Sequence, residues 1–104
     1  MRKANTFVNG EEAGIFTELE FGKKYQFEYL DNYLGAPVSI TMPLSKRSYE
    51  FESFPPFFDG LLPEGYQLEG LLKIGKIDRN DFFAQLISVG DDLVGNVTVK
   101  EVPA

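Results

Sequence analysis

Hydrophobic and polar positions alternate with a period of two through the first half of the chain, and the period lengthens to that of a helix in the second half. Phe7 and Val8 run into Asn9-Gly10, a pair whose tolerance of positive φ favours a two-residue hairpin turn. Beyond it, Ile15, Thr17, Leu19 and Phe21 share one face of a strand. Tyr25, Phe27 and Tyr29 alternate with Gln26 and Glu28, and Val38, Ile40 and Met42 alternate with Ser39 and Thr41. These runs predict an antiparallel meander of three or four strands with one face for a core. Residues 31–37, with Asn32, Gly35 and Pro37, form its loop.

Phe54, Phe57, Phe58, Leu61 and Leu62 then fall on one helix face. A residue before proline avoids the helical region, so the helix begins at Pro56 and ends at Leu62, before Pro63, a length of roughly two turns. Pro63 opens a second helix, with Glu64 against the positive end of its dipole, a stripe of Leu68, Leu71 and Leu72, and Gly75 at its close. A third helix is capped by Asp78, with Asp81 three positions on and Ile77 stapled to Phe82. Phe82, Phe83, Leu86 and Val89 face inward, and Gly90 supplies a left-handed C-terminal residue. Leu93, Gly95, Val97 and Val99 alternate with Asn96, Thr98 and Lys100 as a closing strand. Strands, then two to three short helices, then a strand make an α+β fold. The 104 residues read as a single domain, 1–104.

Charge narrows the choice of partner. The net charge is −6, and the whole excess lies in residues 49–104, which hold ten acidic and four basic groups. Binding to nucleic acid is driven by neutralising phosphates, so this sign argues against it; a basic protein partner fits better, and plain solubility is the competing reading of a charge of this size. No run of the roughly 20 apolar residues that span a bilayer occurs, and Met1-Arg2-Lys3 does not start a signal peptide. A soluble, cytoplasmic protein is the expectation.

Candidate chemistry is sparse. The chain has no histidine and no cysteine, which removes the usual nucleophile–base pairs, the soft metal ligands and any disulfide. Asp91-Asp92 is the densest acidic pair, but it sits between a helix-ending glycine and a strand, where solvated turn aspartates belong. Gly60, Gly65, Gly70 and Gly75 recur every five residues without forming a phosphate-cradling loop. No enzyme activity, cofactor or metal is expected.

One residue stands apart. With about 100° per residue and Leu68 at the centre of the buried stripe of the second helix, Tyr66 lies about 160° away, beside Glu69, Gly70 and Lys73. A tyrosine on the wet face of a helix is available to a partner, and aromatics are frequent interface anchors. The competing reading folds Tyr66 back onto the strands or onto Phe54.

The stretches "VNGEEAG" (residues 8–14), "VSITMPL" (38–44), "PPFFDGLLPEG" (55–65), "RNDFF" (79–83) and "VGDDLVGNV" (89–97) occur in an order that resembles the N-terminal subdomain of HipA-type serine/threonine kinases, the toxins of bacterial toxin–antitoxin systems. The segment containing Phe57-Phe58-Asp59 and Leu61-Leu62-Pro63-Glu64-Gly65 is the most specific part. In that family a much longer kinase body follows, so the resemblance brings no catalytic residue to this chain. It implies a free-standing, HipS-like antitoxin that binds and silences a HipT-type kinase, with a HipB-like DNA-binding protein as a further member of the complex. Docking where the fused subdomain sits would set Tyr66 near the kinase cleft as a plug, with Glu64, Glu69 and Asp59 as acidic contacts around it. The alternative is a non-inhibitory subunit that completes or activates a truncated kinase. The Met1 start and the stop just after the last strand favour either of these over an excised fragment.

Overall fold

The computed structural model describes residues 1–93 and 95–103. Five strands form one antiparallel sheet: β1 (Arg2–Val8), β2 (Glu11–Glu20), β3 (Lys24–Tyr29), β4 (Ser48–Phe51) and β5 (Val97–Glu101), in the order β4-β3-β2-β1-β5. Three short helices, α1 (Pro56–Asp59), α2 (Gly65–Gly75) and α3 (Phe82–Ser88), lie between β4 and β5 in sequence. The fold is α+β, with the C-terminal strand closing the sheet beside β1.

The β1–β2 turn is built as its residues dictate. Asn9 and Gly10 both take positive φ, 52° and 84°, the geometry whose twist matches the flanking strands. On β2, however, the face that meets the helices carries Phe16 and not the Ile15, Thr17, Leu19 and Phe21 set that alternation suggests; Phe16 is fully buried and Phe21 is exposed. Positions 14–18 pair in unbroken register between irregularities at Ala13 and Leu19, so alternation fixes which residues share a face, while the packing of the helices decides that the Phe16 face is the covered one.

Phe16 is the point where sheet and helices join. Its ring stacks on Tyr25 of β3, on Phe58 of α1 at 4.3 Å and on Phe83 of α3 at 5.5 Å, and meets Phe54 edge-on. Offset and edge-to-face aromatic pairs of this kind each add about 0.5–1.5 kcal/mol beyond their buried area. Tyr25, Phe27 and Tyr29, the inward set of β3, are all buried, as their alternation predicts. Burial, helped by the neighbouring Glu18 carboxylate, pushes the Tyr25 hydroxyl up to about 12.

The strand expected from Val38, Ile40 and Met42 does not form. Residues 30–47 are a folded loop in which Val38 and Met42 are buried, while Ile40 is 95% exposed. Tyr29 holds it: its Oη accepts from the Val38 N–H at 2.9 Å and donates to the Met42 carbonyl. Arg47 adds a hydrogen bond to the Tyr33 carbonyl at 2.8 Å, and the Tyr29 and Tyr33 rings stack. A buried hydroxyl that serves two backbone groups replaces a ladder as the organiser of this segment. The fourth strand is instead Ser48–Phe51, paired to β3.

The helices are shorter than periodicity suggests. α1 is a single turn, and Leu61 and Leu62 follow it in tight turns, half-buried. α2 begins at Gly65 with Glu64 as its N-cap residue, and its left-handed C-terminal residue is Lys76, φ 53°, not Gly75. The cap of α3 is Asp81, whose side chain accepts from the Ala84 N–H at 3.1 Å; Asp78 instead accepts from the Asn80 N–H one turn earlier. Gly90 is not left-handed. Its role is close approach: a Cβ there would lie 2.2 Å from the Val99 carbonyl oxygen, where the Gly90 carbonyl accepts from the Val99 N–H.

Candidate surface for partner docking

α2 is the least integrated element. It runs 11 residues, and none of them is fully buried: Leu68, Leu71 and Leu72 are half-covered, while Tyr66 and Ile74 are 96% and 86% exposed. Apolar residues therefore occupy both the inner and the outer side of this helix, whereas a surface helix normally confines them to one stripe.

The outer side forms one wall of a groove of about 620 Å³. Tyr66, Gly70 and Ile74 line it at four-residue spacing, with Gln67 and Leu71 beside them. Gly60, Leu61, Leu62 and Pro63, the link between α1 and α2, contribute a second wall. Val89, Asp92 and Leu93, which follow α3, contribute the third. Pro63 brings the link to an end, and α2 begins at Gly65 with Glu64 as its N-cap residue. Asp92 is the one charged side chain among the described lining residues.

Tyr66 thus stands where the helical wheel sets it, on the wet face and not folded onto Phe54, whose ring packs against Phe16, Tyr25 and Phe82. The three acidic candidates fall outside the groove lining. Asp59 is exposed on α1, and Glu64 is exposed at the start of α2 with no cap made by its side chain. Glu69 is held on another flank by Arg79, whose Nη2 donates to both carboxylate oxygens at 2.8 and 2.9 Å. Both partners are more than half exposed, so this ion pair adds little to stability. Leu61, Leu93 and Ile74 are groove residues that sequence reasoning assigned to a helix interior, to a strand or to no role. Ile74 had a legible signal, being a large aliphatic one helical turn beyond Gly70 on the side away from Leu68.

Among the described residues no group of three or more carboxylate, histidine or cysteine side chains is placed to hold a metal ion, and no helix is long and apolar enough to cross a membrane. What the surface offers is apolar shape with an acidic edge, which suits recognition.

Comparison with known proteins agrees with the fold. A family model described as the HipA N-terminal domain matches residues 4–100. An uncharacterized protein of Haemophilus influenzae is 29% identical over 101 residues, covering 97% of this chain and 93% of its own length. A protein of Sinorhizobium fredii named as a kinase, Y4mE, is 32% identical over 99 residues, which cover 91% of this chain but 23% of that protein. Among solved structures, the N-terminal domain of HipA toxin matches with a TM-score of 0.77 at 27% identity, covering 99% of this chain and 94% of that one.

Proposed function

The chain belongs to the HipA N-terminal domain family, and from that premise we propose that it is an antitoxin which binds a HipT-type serine/threonine kinase and inhibits it by docking beside the active-site cleft. The observation that carries this reading is Tyr66, fully presented to solvent at the rim of an apolar groove on the helix that the rest of the domain covers least. The kinase-named relative supports it: the region that matches this chain is 23% of that protein, joined to a much larger remainder. On this reading the chain acts apart from a fused kinase body, as a Haemophilus influenzae relative matched over 93% of its own length would, and brings a ready-made surface to a kinase that lacks it.

In this mechanism the sheet, α1 and α3 form a rigid platform held by the Phe16 stack. Tyr66 projects from it and enters the kinase cleft, excluding substrate or nucleotide. An aromatic ring suits the task because it buries a large area while losing only two side-chain torsions. Asp59 and Glu64 are exposed near the base of the projection and meet basic groups on the kinase; Glu69 joins them on exchanging Arg79. A HipB-like DNA-binding protein completes the assembly without this acidic chain touching DNA.

Co-expression with a HipT-type kinase tests the proposal. The wild-type chain restores growth, and Tyr66→Ala fails to do so while remaining folded by circular dichroism. Slower growth with the wild-type chain would mean an activating subunit in place of an inhibitor. Equal rescue by folded Tyr66→Ala would remove Tyr66 from the mechanism.

A further inference from the structure

The groove beside Tyr66 is apolar, with Asp92 as the one charged side chain among its described lining residues. We infer that it takes a short amphipathic segment of the partner whose leucine-like anchors are flanked by lysine or arginine, so that docking is reciprocal: Tyr66 enters the partner and a partner segment enters the groove. The inference rests on the docking reading given above and adds the chemistry of the segment that is docked.

Three observations carry it. The walls are apolar, formed chiefly by Leu62, Leu71, Ile74 and Leu93, and α2 extends about 16 Å, room for two to three turns of a facing helix. Asp92 lines the groove, and Asp59, Glu64, Glu69 and Asp91 directly neighbour lining residues in the chain, Glu69 being paired with Arg79, against a single basic neighbour, Lys73. A complementary surface is therefore basic. A second copy of this chain is the natural rival, because Tyr66 and the groove adjoin each other and would fit a two-fold arrangement. That arrangement would press together two identical acidic rims on chains of net charge −6, so charge favours a basic partner over self-association.

Gly70 makes the inference testable without unfolding the protein. It lines the groove within α2, and a Cβ added there meets nothing within 4 Å. Gly70→Leu therefore fills the groove with the chain's own side chain while raising helix propensity. The probe is a synthetic peptide of roughly four helical turns made only of leucine and lysine, with leucines at i, i+3, i+4 and i+7. The control peptide replaces each lysine by glutamate. Binding is followed by amide chemical-shift changes in the full chain.

The expected result is saturable shifts confined to α2 and to residues 60–63 and 89–93 with the lysine peptide. Gly70→Leu weakens that binding at least about tenfold, and the glutamate peptide does not bind. No shifts at these positions, or equal binding by both peptides or by Gly70→Leu, overturns the inference. Concentration-dependent dimerisation that Gly70→Leu abolishes also overturns it, making a second copy the occupant. The peptide readout contains no kinase, so a groove that binds the peptide alongside a failed co-expression rescue refutes the antitoxin reading and leaves this inference standing.

Discussion

The guanidinium of Arg2 donates two hydrogen bonds to the carboxylate of Asp81, at 3.1 and 2.9 Å, across 79 residues of chain. The same guanidinium donates to Glu18 through Nε at 2.8 Å and lies over the rings of Phe21 and Phe83. Asp81 caps α3, so Arg2 ties the first strand of the sheet to the start of the last helix. Burial pulls the Arg2 guanidinium down, but Asp81 and Glu18 together outweigh it and leave it raised.

Arg2→Ala leaves Glu18, only 5% exposed, with an uncompensated charge and frees the cap of α3. Because Arg2 itself is partly solvated, the expected loss is about 1–3 kcal/mol, read from urea unfolding midpoints. Arg2→Lys recovers less than half of it, since an ammonium cannot reproduce the guanidinium's forked contacts. A midpoint unchanged by Arg2→Ala would show that the tie contributes nothing to stability.

Tyr29→Phe keeps the ring stack on Tyr33 but removes the hydroxyl that serves Val38 and Met42. Both backbone groups lose a buried partner, at a cost of about 1–3 kcal/mol. Amide exchange accelerates in residues 38–42 before the rest of the sheet. Uniform exchange across the whole domain would assign that loop no independent role.

Alkaline unfolding follows from Tyr25, Tyr29 and Tyr33. All three are raised above the ordinary tyrosine value of 10.0, each chiefly by burial; the Val38 N–H opposes the shift at Tyr29, and Glu11 adds to it at Tyr33. The folded state holds these protons more tightly than the unfolded state does. Their contribution to stability is thus intact below pH 10 and lost as pH rises through the folded values. For Tyr25 that window runs from about 10 to about 12 and carries up to about 2–3 kcal/mol. Phenolate absorbance should rise together with loss of circular dichroism. Tyrosine ionisation complete near pH 10 with the fold intact would contradict it.

Thr6→Val should not destabilise. The Thr6 Oγ1 is buried and, among the described residues, has no hydrogen-bond partner. Replacing the hydroxyl by a methyl removes an unmet polar group from a β-strand, with an expected gain of up to about 1 kcal/mol in the denaturation midpoint. A clear loss would reveal a hydrogen bond that Thr6 makes in solution.

Tyr66→Ala should leave thermal stability within about 0.5 kcal/mol of wild type, since the side chain is 96% exposed, while abolishing growth rescue. A large stability loss would mean that Tyr66 packs against the domain.

Much of this protein is decided locally. The Asn9-Gly10 turn, the buried set Tyr25, Phe27 and Tyr29, the outward Tyr66 and the α+β order all follow from φ preferences and side-chain periodicity, which act between residues near in sequence. The family signature around Phe57 and Phe58 is legible for a different reason, as a run of residue identities that resembles the HipA N-terminal domain. Tertiary structure decided the rest. Val38, Ile40 and Met42 alternate like a strand, but a strand needs a neighbour's backbone, and the free edge of β3 is taken by Ser48–Phe51. Both Asp78 and Asp81 are competent helix caps, and Arg2, distant in sequence, lies against Asp81. The groove was the least legible feature, because its walls come from three separate segments brought together only by packing α1 and α3 onto Phe16. Periodicity marks which side of a helix is apolar; what stands opposite that side is fixed by contacts between residues far apart in the chain.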